Sequence, residues 1–333
     1  MAVRVGVLGA GFIGRIHALN LRQDPRVEIV GIADAVPQAA GRLAAEVGAR
    51  PLGSLEALLD AAPDAVYVTT PNTYHVEPVL AALASGAHVF SEKPMATSLE
   101  GAWRIRDAAS RSRGVYQIGF NRRFAPVYRF ARRLIDEGRL APLAAQLKHN
   151  RGELRQPAWT SDPGVTGGYL YETPVHLFDM SRFLLGDVAE IQGWARRSVY
   201  AEPDGFVMLL RFRSGVIASL TSVAHASWLF PSERLEIYGE HRAVVTEEME
   251  RASFSPGARD AAEVIDCAAM PFEQKWGYAA EDRLFIDAVL GERPPAVTAE
   301  DGYRATELVE ACARAARTQQ RVTLPLPEPQ GER

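Results

Sequence analysis

Val3-Arg4-Val5-Gly6-Val7-Leu8-Gly9-Ala10-Gly11-Phe12-Ile13-Gly14 is the stretch that decides the fold. Residues 3–8 are apolar and largely β-branched, read as a strand, and stop at Gly9. Gly9, Gly11 and Gly14 then match G-x-G-x-x-G, and helical spacing follows over 12–21. The spacing has a mechanism. The first glycine makes a tight turn, the second lets the backbone approach a pyrophosphate, and the third lets the helix pack closely. The helix N-terminus attracts the phosphate charge. A lone match is weak, but one set between a strand and a helix has the context the motif requires. The alternative is a glycine-rich turn that holds no nucleotide.

Working outward, strand and helix alternate through the first 120 or so residues. Strands are expected at 28–32, 65–69, 88–90 and 115–119, and helices at 37–47, 76–84 and 99–110. Repeated βα units imply a parallel sheet covered by helices. Asp34 lies 20 residues after Gly14, at the end of the second strand, where an acid hydrogen-bonds the adenosine ribose. Ala35, Val36 and Pro37 follow, with no Arg or Lys before Arg42, so a 2′-phosphate would face a carboxylate and no cation. NAD is therefore favoured over NADP. Asp34 also precedes a proline-led helix and could cap it, and the two roles are compatible.

The composition is that of a folded globular protein. Of 333 residues 47% are hydrophobic and 23% charged, which leaves ample material for a core and excludes general disorder. The length favours two domains. Thirty-seven basic against 41 acidic residues give a net charge of −4 with no long basic run, which argues against nucleic acid and anionic membranes as partners. Two cysteines, Cys267 and Cys312, make neither a disulfide framework nor a four-ligand zinc site, and they suit a reducing cytoplasm. The charge-free run 214–232 carries five serines and reads as strand rather than membrane span. The N-terminus enters its first strand at once and does not read as a signal peptide.

After Asn121 the texture changes. A helix over 125–137 is followed by strand-like runs at 143–149, 188–195, 206–212, 216–224, 235–238 and 243–246 without intervening helices, which predicts an antiparallel sheet. A helix over 174–185 stands apart. Helices return at 282–290 and 300–317, and Pro325, Pro327 and Pro329 suggest a frayed end. The expected class is α/β: a doubly wound Rossmann domain over 1–122, then an α/β domain with a large open, mostly antiparallel sheet over 123–333.

Three segments carry chemistry. Thr70-Pro71-Asn72-Thr73-Tyr74-His75 and Glu92-Lys93-Pro94 fall at the carboxyl ends of their strands, the edge where open α/β sheets bind ligands. Lys93 could stand beside a nicotinamide and a substrate hydroxyl, or be half of a surface Glu-Lys pair. In Gly167-Gly168-Tyr169-Leu170-Tyr171-Glu172-Thr173-Pro174-Val175-His176-Leu177-Phe178-Asp179, Glu172 and His176 stand four apart near a helix start. A carboxylate that orients a histidine is a general-base arrangement. A capping carboxylate and a core histidine would give the same pattern. His75, His88, His149 and His225 read as structural or peripheral. Glu172, His176 and Asp179 lack a second ligand cluster, so no metal is expected.

Together these motifs, with Gly119-Phe120-Asn121-Arg122-Arg123-Phe124 and Ala296-Val297-Thr298-Ala299-Glu300-Asp301-Gly302, resemble the Gfo/Idh/MocA family of NAD(P)-dependent oxidoreductases. The likeness spans nearly the whole chain. Within the family, the Asn121–Phe124 and 176–179 runs most resemble inositol 2-dehydrogenases. The resemblance implies hydride transfer between NAD(H) and a secondary alcohol or ketone of a cyclic polyol or sugar. It also implies catalysis by Lys93, Glu172 and His176, and a homodimer or homotetramer built through the second sheet. The sequence departs from the family's usual pattern at Glu172 and Pro174, which bears on the substrate. Gly9, Gly11, Phe12, Ile13, Gly14, Asp34, Thr70, Pro71, Asn72, His75, Glu92, Lys93 and Arg122 are the residues expected around the cofactor. Arg123, Arg151, Trp159, Tyr238 and Tyr278 are candidate substrate contacts, equally readable as packing residues. Two other reactions stay open: reduction of a nucleotide-linked or pathway-specific sugar ketone, and redox-neutral, NAD-dependent glycoside cleavage.

Overall fold

A computed structural model describes residues 2–154, 156–227 and 232–329. The first sheet has six strands, β1 Val3–Leu8, β2 Val27–Ala33, β3 Arg50–Leu52, β4 Ala65–Val68, β5 His88–Glu92 and β6 Tyr116–Gly119, in the order β3-β2-β1-β4-β5-β6. All its pairings are parallel. This is the doubly wound order, and it reverses between β1 and β4, where such sheets bind ligands at the strands' carboxyl ends. Helices α1 Phe12–Gln23, α2 Pro37–Val47, α3 Leu55–Asp60, α4 Val76–Ala84 and α5 Leu99–Arg111 accompany it. β4 is buried along its whole length, as a central strand covered on both faces must be.

The sequence pattern missed β3 and α3. β3 carries Pro51 at the sheet edge, where a missing N–H breaks no inner ladder, and α3 is only six residues long. Neither presents a readable period, although Leu58 on α3 is fully buried.

The second sheet has nine strands: β7 Ala144–Asn150, β8 Val188–Arg196, β9 Gly205–Phe212, β10 Ile217–Val223, β11 Glu233–Gly239, β12 Arg242–Glu247, β13 Arg251–Ser255, β14 Glu263–Asp266 and β15 Val322–Thr323. Their order is β14-β13-β12-β11-β7-β10-β9-β8-β15, and among the described residues only β7 and β10 pair in parallel. Around it are α6 Pro126–Asp136, the single turns α7 Pro163–Thr166 and α8 Tyr169–Glu172, α9 Val175–Leu185 and α10 Phe272–Lys275. Burial alternates along β9: Phe206, Met208, Leu210 and Phe212 face the core, while Val207 and Leu209 face out. β13 and β14 escaped the sequence reading because few of their residues are apolar and β14 is largely exposed at the edge.

The remaining helices are α11 Tyr278–Val289 and α12 Ala299–Thr318. The compact units are not contiguous in sequence. One is built on Met1–Asn121 and Tyr278–Thr306, the other on Arg122–Gly277 and Glu307–Glu328. The sequence suggested one cut, between 122 and 123. The return of α11 has a packing reason, since its Phe285 and Ile286 join Val5, Val7, Tyr67 and Phe90 in one apolar cluster. Just ahead of the prolines the chain is docked: Val322 and Leu324 are buried, and the Leu324 N–H donates to Ala189 O at 2.9 Å, while Pro325 and Pro327 are exposed. β10 occupies the middle of the charge-free run, whose residues 228–231 lie outside the described residues. Among the described residues no helix is long and apolar enough to cross a membrane.

Candidate active site

The turn after β1 is closed by contacts that only glycine permits. Gly9 takes φ +106°, in the left-handed region. A Cβ on Gly14 would stand 2.0 Å from the Gly9 carbonyl oxygen and 2.7 Å from Thr69 Oγ1. Thr69 itself donates from Oγ1 to Leu8 O at 3.0 Å and Gly9 O at 2.8 Å. At Gly11 the situation is opposite: a Cβ there would meet nothing within 4 Å. α1 begins at this point with no side-chain cap, so its positive end looks onto open space. Phe12 stands beside it, 72% exposed. This cradle fits a pyrophosphate in contact with bare backbone.

Asp34 is tied to the same turn. Its Oδ2 accepts from the Ala10 N–H at 2.7 Å and its Oδ1 from the Val36 N–H at 2.7 Å. The carboxylate shapes the glycine turn and the entry to α2, whose N-cap is Val36. A carboxylate has about four acceptor positions, so lone pairs remain for a ribose hydroxyl.

The next loops along the carboxyl edge are held by His75. This residue is fully buried, and its Nδ1 and Nε2 stand 2.7 Å from Pro94 O and 2.7 Å from Thr70 O. Burial pushes its imidazole below the ordinary range, against the effect of the two carbonyls. His75 thus joins the Thr70–Asn72 loop to the Glu92–Pro94 loop. Asn72 is buried, whereas Lys93 is partly exposed and its backbone N–H donates to Glu92 Oε2 at 3.0 Å.

In the second unit, Gly167 and Gly168 take φ +78° and +98° ahead of α8. Glu172 closes α8, and Pro174 is the N-cap of α9. Glu172 therefore ends one helical turn and His176, buried, is the second residue of the next helix. Asp179, one turn further on, is committed to Arg123. Arg123 Nε donates to its Oδ2 at 2.9 Å and Nη2 to its Oδ1 at 2.6 Å, and both residues are buried. Removing one member of such a pair strands the other charge. Asp179→Asn is expected to cost about 3–5 kcal/mol, read from urea unfolding.

Arg122 also lies in this unit and turns to Glu233, its Nε donating at 2.8 Å to Oε2 and 3.0 Å to Oε1. The Tyr128 hydroxyl donates to Glu233 Oε1 at 2.5 Å. Burial pushes the Glu233 carboxyl up, but Arg122 and His149 outweigh it and hold the group below its usual range. Arg151 is drawn into the same field. Burial and Arg122 lower its pKa, while Glu172, Tyr169 and Glu233 act the other way. The fold thus gathers Arg122, Arg151, Glu172, Tyr169 and Glu233. Glu233, Tyr128 and His149 were not singled out from sequence as site residues. The one signal for Glu233 was its place as the first charge after the run 214–232.

Trp159 sits in a short turn over Ala158–Ser161, 39% exposed. Tyr238 is not brought to this group. Glu233, Leu235 and Ile237 face the core along β11, so Tyr238 falls on the opposite face with Arg234 and Glu236. Tyr278 belongs to the first unit, where its ring packs edge-on to His17 with centroids 5.7 Å apart.

A doubly wound sheet with an open glycine cradle, an uncapped helix and an acid after β2 defines a dinucleotide-binding protein. Comparison with known proteins carries this further. The family described as an oxidoreductase family with an NAD-binding Rossmann fold matches residues 3–120, and its C-terminal alpha/beta domain matches residues 132–324. The chain belongs to this family, Gfo/Idh/MocA, and is an NAD-dependent oxidoreductase. It is similar to inositol 2-dehydrogenase 3 of Saccharopolyspora erythraea, 31% identical over 342 residues, which are 99% of this chain and 98% of the relative. It is also similar to inositol 2-dehydrogenase of Rhizobium meliloti (strain 1021), 28% identical over 97% of this chain and all of the relative. Among solved structures, GenD2 from gentamicin A biosynthesis in complex with NAD matches with a TM-score of 0.85 and 26% identity, over 98% of this chain and 97% of that one.

Proposed function

We propose that the protein oxidises a secondary alcohol of a cyclic polyol or sugar with NAD. The observation that carries this reading is its near-full-length likeness to inositol 2-dehydrogenases. The backbone at Gly9, Gly11, Phe12, Ile13 and Gly14 would hold the pyrophosphate and Asp34 the adenosine ribose. Thr70, Pro71, Asn72, Glu92 and Lys93 would line the nicotinamide end, with His75 fixing both loops and Arg122 bordering the site. Bound NAD supplies the hydride acceptor. His176 takes the hydroxyl proton as the carbon–oxygen bond becomes a carbonyl, Lys93 hydrogen-bonds the reacting oxygen, and Glu172 orients His176 or holds a neighbouring hydroxyl. Arg151 and Arg123 remain candidates for contacts to substrate oxygens, Arg123 in the orientation that Asp179 sets. Both cysteines are buried thiols, which suits the reducing cytoplasm.

Purified protein is tested with NAD and NADP against polyols, aldoses and glycosides. NADH formation from a polyol or aldose supports the reading. Glycoside cleavage with no net NADH would support redox-neutral chemistry instead. The likeness to GenD2, an enzyme from gentamicin A biosynthesis, favours a second reading: oxidoreduction of a pathway-specific sugar.

The exposed sheet face supports self-association as a homodimer or homotetramer. Trp194, Val207, Leu209 and Ile217 are each more than half exposed there. Leu209, Ile217, Gln146, Arg211, Ser219 and Tyr238 also line a groove of about 440 Å³ on it. Contiguous apolar surface of this kind marks an interface. Leu209→Glu with Ile217→Glu is expected to give monomers by light scattering. An unchanged mass would place the contact elsewhere.

A further inference from the structure

Behind Lys93, Glu92 leads into a buried polar chain whose other members, His17, Asp282 and Asn20, the reaction above does not use. Lys93 hangs by its backbone N–H from Glu92 Oε2, at 3.0 Å. The other oxygen, Glu92 Oε1, is 3.2 Å from His17 Nε2 on α1. His17 Nδ1 is 2.6 Å from Asp282 Oδ1 on α11, and Asp282 Oδ2 accepts from Asn20 Nδ2 at 2.8 Å. His17 is 0%, Asp282 3% and Glu92 6% exposed. Tyr67 on β4, Phe90 on β5 and Tyr278 on α11 wall the imidazole, with ring centroids 5.5, 4.9 and 5.7 Å away.

The charged and titratable groups that face His17 are therefore Glu92 from β5, Asp282 from α11, and the phenols of Tyr67 and Tyr278. A lone imidazole between two buried carboxylates is a costly arrangement for stability alone. Apolar residues of similar volume would fill the space as well, so a task beyond packing is indicated.

We propose that His17 is the positioning residue for Lys93: clamped between Asp282 and Glu92, it fixes the carboxylate from which the Lys93 backbone hangs and so aims Lys93 at the reacting oxygen. This rests on the reading of Lys93 given above. His17 touches neither substrate nor cofactor and acts through Glu92. Burial opposes charge on its ring, but Asp282 and Glu92 outweigh it and carry the imidazole from 6.5 to about 10. The folded ring thus holds a proton that an unfolded one loses near 6.5, so the cluster's contribution to stability is complete below that pH and fades as pH rises through about 10.

The test is Asp282→Asn in the full protein. Losing one carboxylate lets His17 deprotonate at lower pH, which gives kcat a new falling limb between roughly pH 6 and 9 that the parent lacks. Above the new midpoint kcat is expected about tenfold down, with KM and the NAD dissociation constant within about twofold of the parent. The chain's three lysines, Lys93, Lys148 and Lys275, make the event visible without turnover, because ¹⁵N-lysine labelling gives three amide signals. The Lys93 amide should move with the His17 titration while the other two stay fixed.

A variant whose kcat profile parallels the parent, or a Lys93 amide that ignores the His17 titration, overturns the proposal. If Asp282→Asn does not fold, ¹³C labelling of the seven histidines in the parent decides. One ring should stay cationic to about pH 10, and a set in which every ring titrates near or below 6.5 overturns it. A parent that oxidises no polyol or sugar would defeat the proposed substrate class instead, and the amide readout would still judge the clamp.

Discussion

Gly14→Ala will abolish NAD binding at cofactor concentrations that saturate the parent, a weakening of at least about a hundredfold, or about 2.7 kcal/mol. The added methyl carbon would lie 2.0 Å from the Gly9 carbonyl oxygen and 2.7 Å from Thr69 Oγ1. Both are fixed, since Thr69 Oγ1 hydrogen-bonds Gly9 O and Gly9 sits at φ +106°. α1 must move off the turn, and with it the helix end that faces the phosphates. Overpacking of this kind also costs stability, about 1–3 kcal/mol, so the melting temperature should fall by several degrees. Gly11→Ala separates the two effects. Its φ is −73° and its Cβ would meet no atom within 4 Å, so melting should be nearly unchanged while NAD binding still weakens. Isothermal titration and thermal melts of the two variants read both quantities.

His176→Gln and Lys93→Met should each lower kcat about a hundred- to ten-thousandfold, the range for losing a positioned acid–base group. NAD affinity should survive His176→Gln, because the residue lies on α9 in the second unit, whereas the glycine cradle belongs to the first. The two losses combined should fall short of their product, since both groups act on one oxygen in one step. A kcat reduced less than tenfold in either variant would remove that residue from the proposed machinery.

Much of this was legible in the sequence. The glycine spacing, the acid 20 residues on, and the βα alternation define the first unit because each follows from local backbone chemistry. The antiparallel sheet was legible from successive strand-like runs. What the sequence hid was pairing at a distance. Nothing near His17 announces Asp282, 265 residues away, or marks Glu92 as the group between His17 and Lys93. Arg123 could be picked out as a candidate substrate contact or packing residue, but its bidentate pair with Asp179 needed the packing of α9. Short elements failed for another reason: β3, α3 and β15 have too few residues to show a period, and burial alone reveals them.

The account is tested most directly by NADH absorbance when purified protein and NAD meet a panel of inositols and aldoses. We expect at least one cyclic polyol or sugar to reduce NAD, with the rate lost in Lys93→Met and His176→Gln. Protein that binds NADH yet reduces NAD with none of them, or whose rate survives both substitutions, would contradict it.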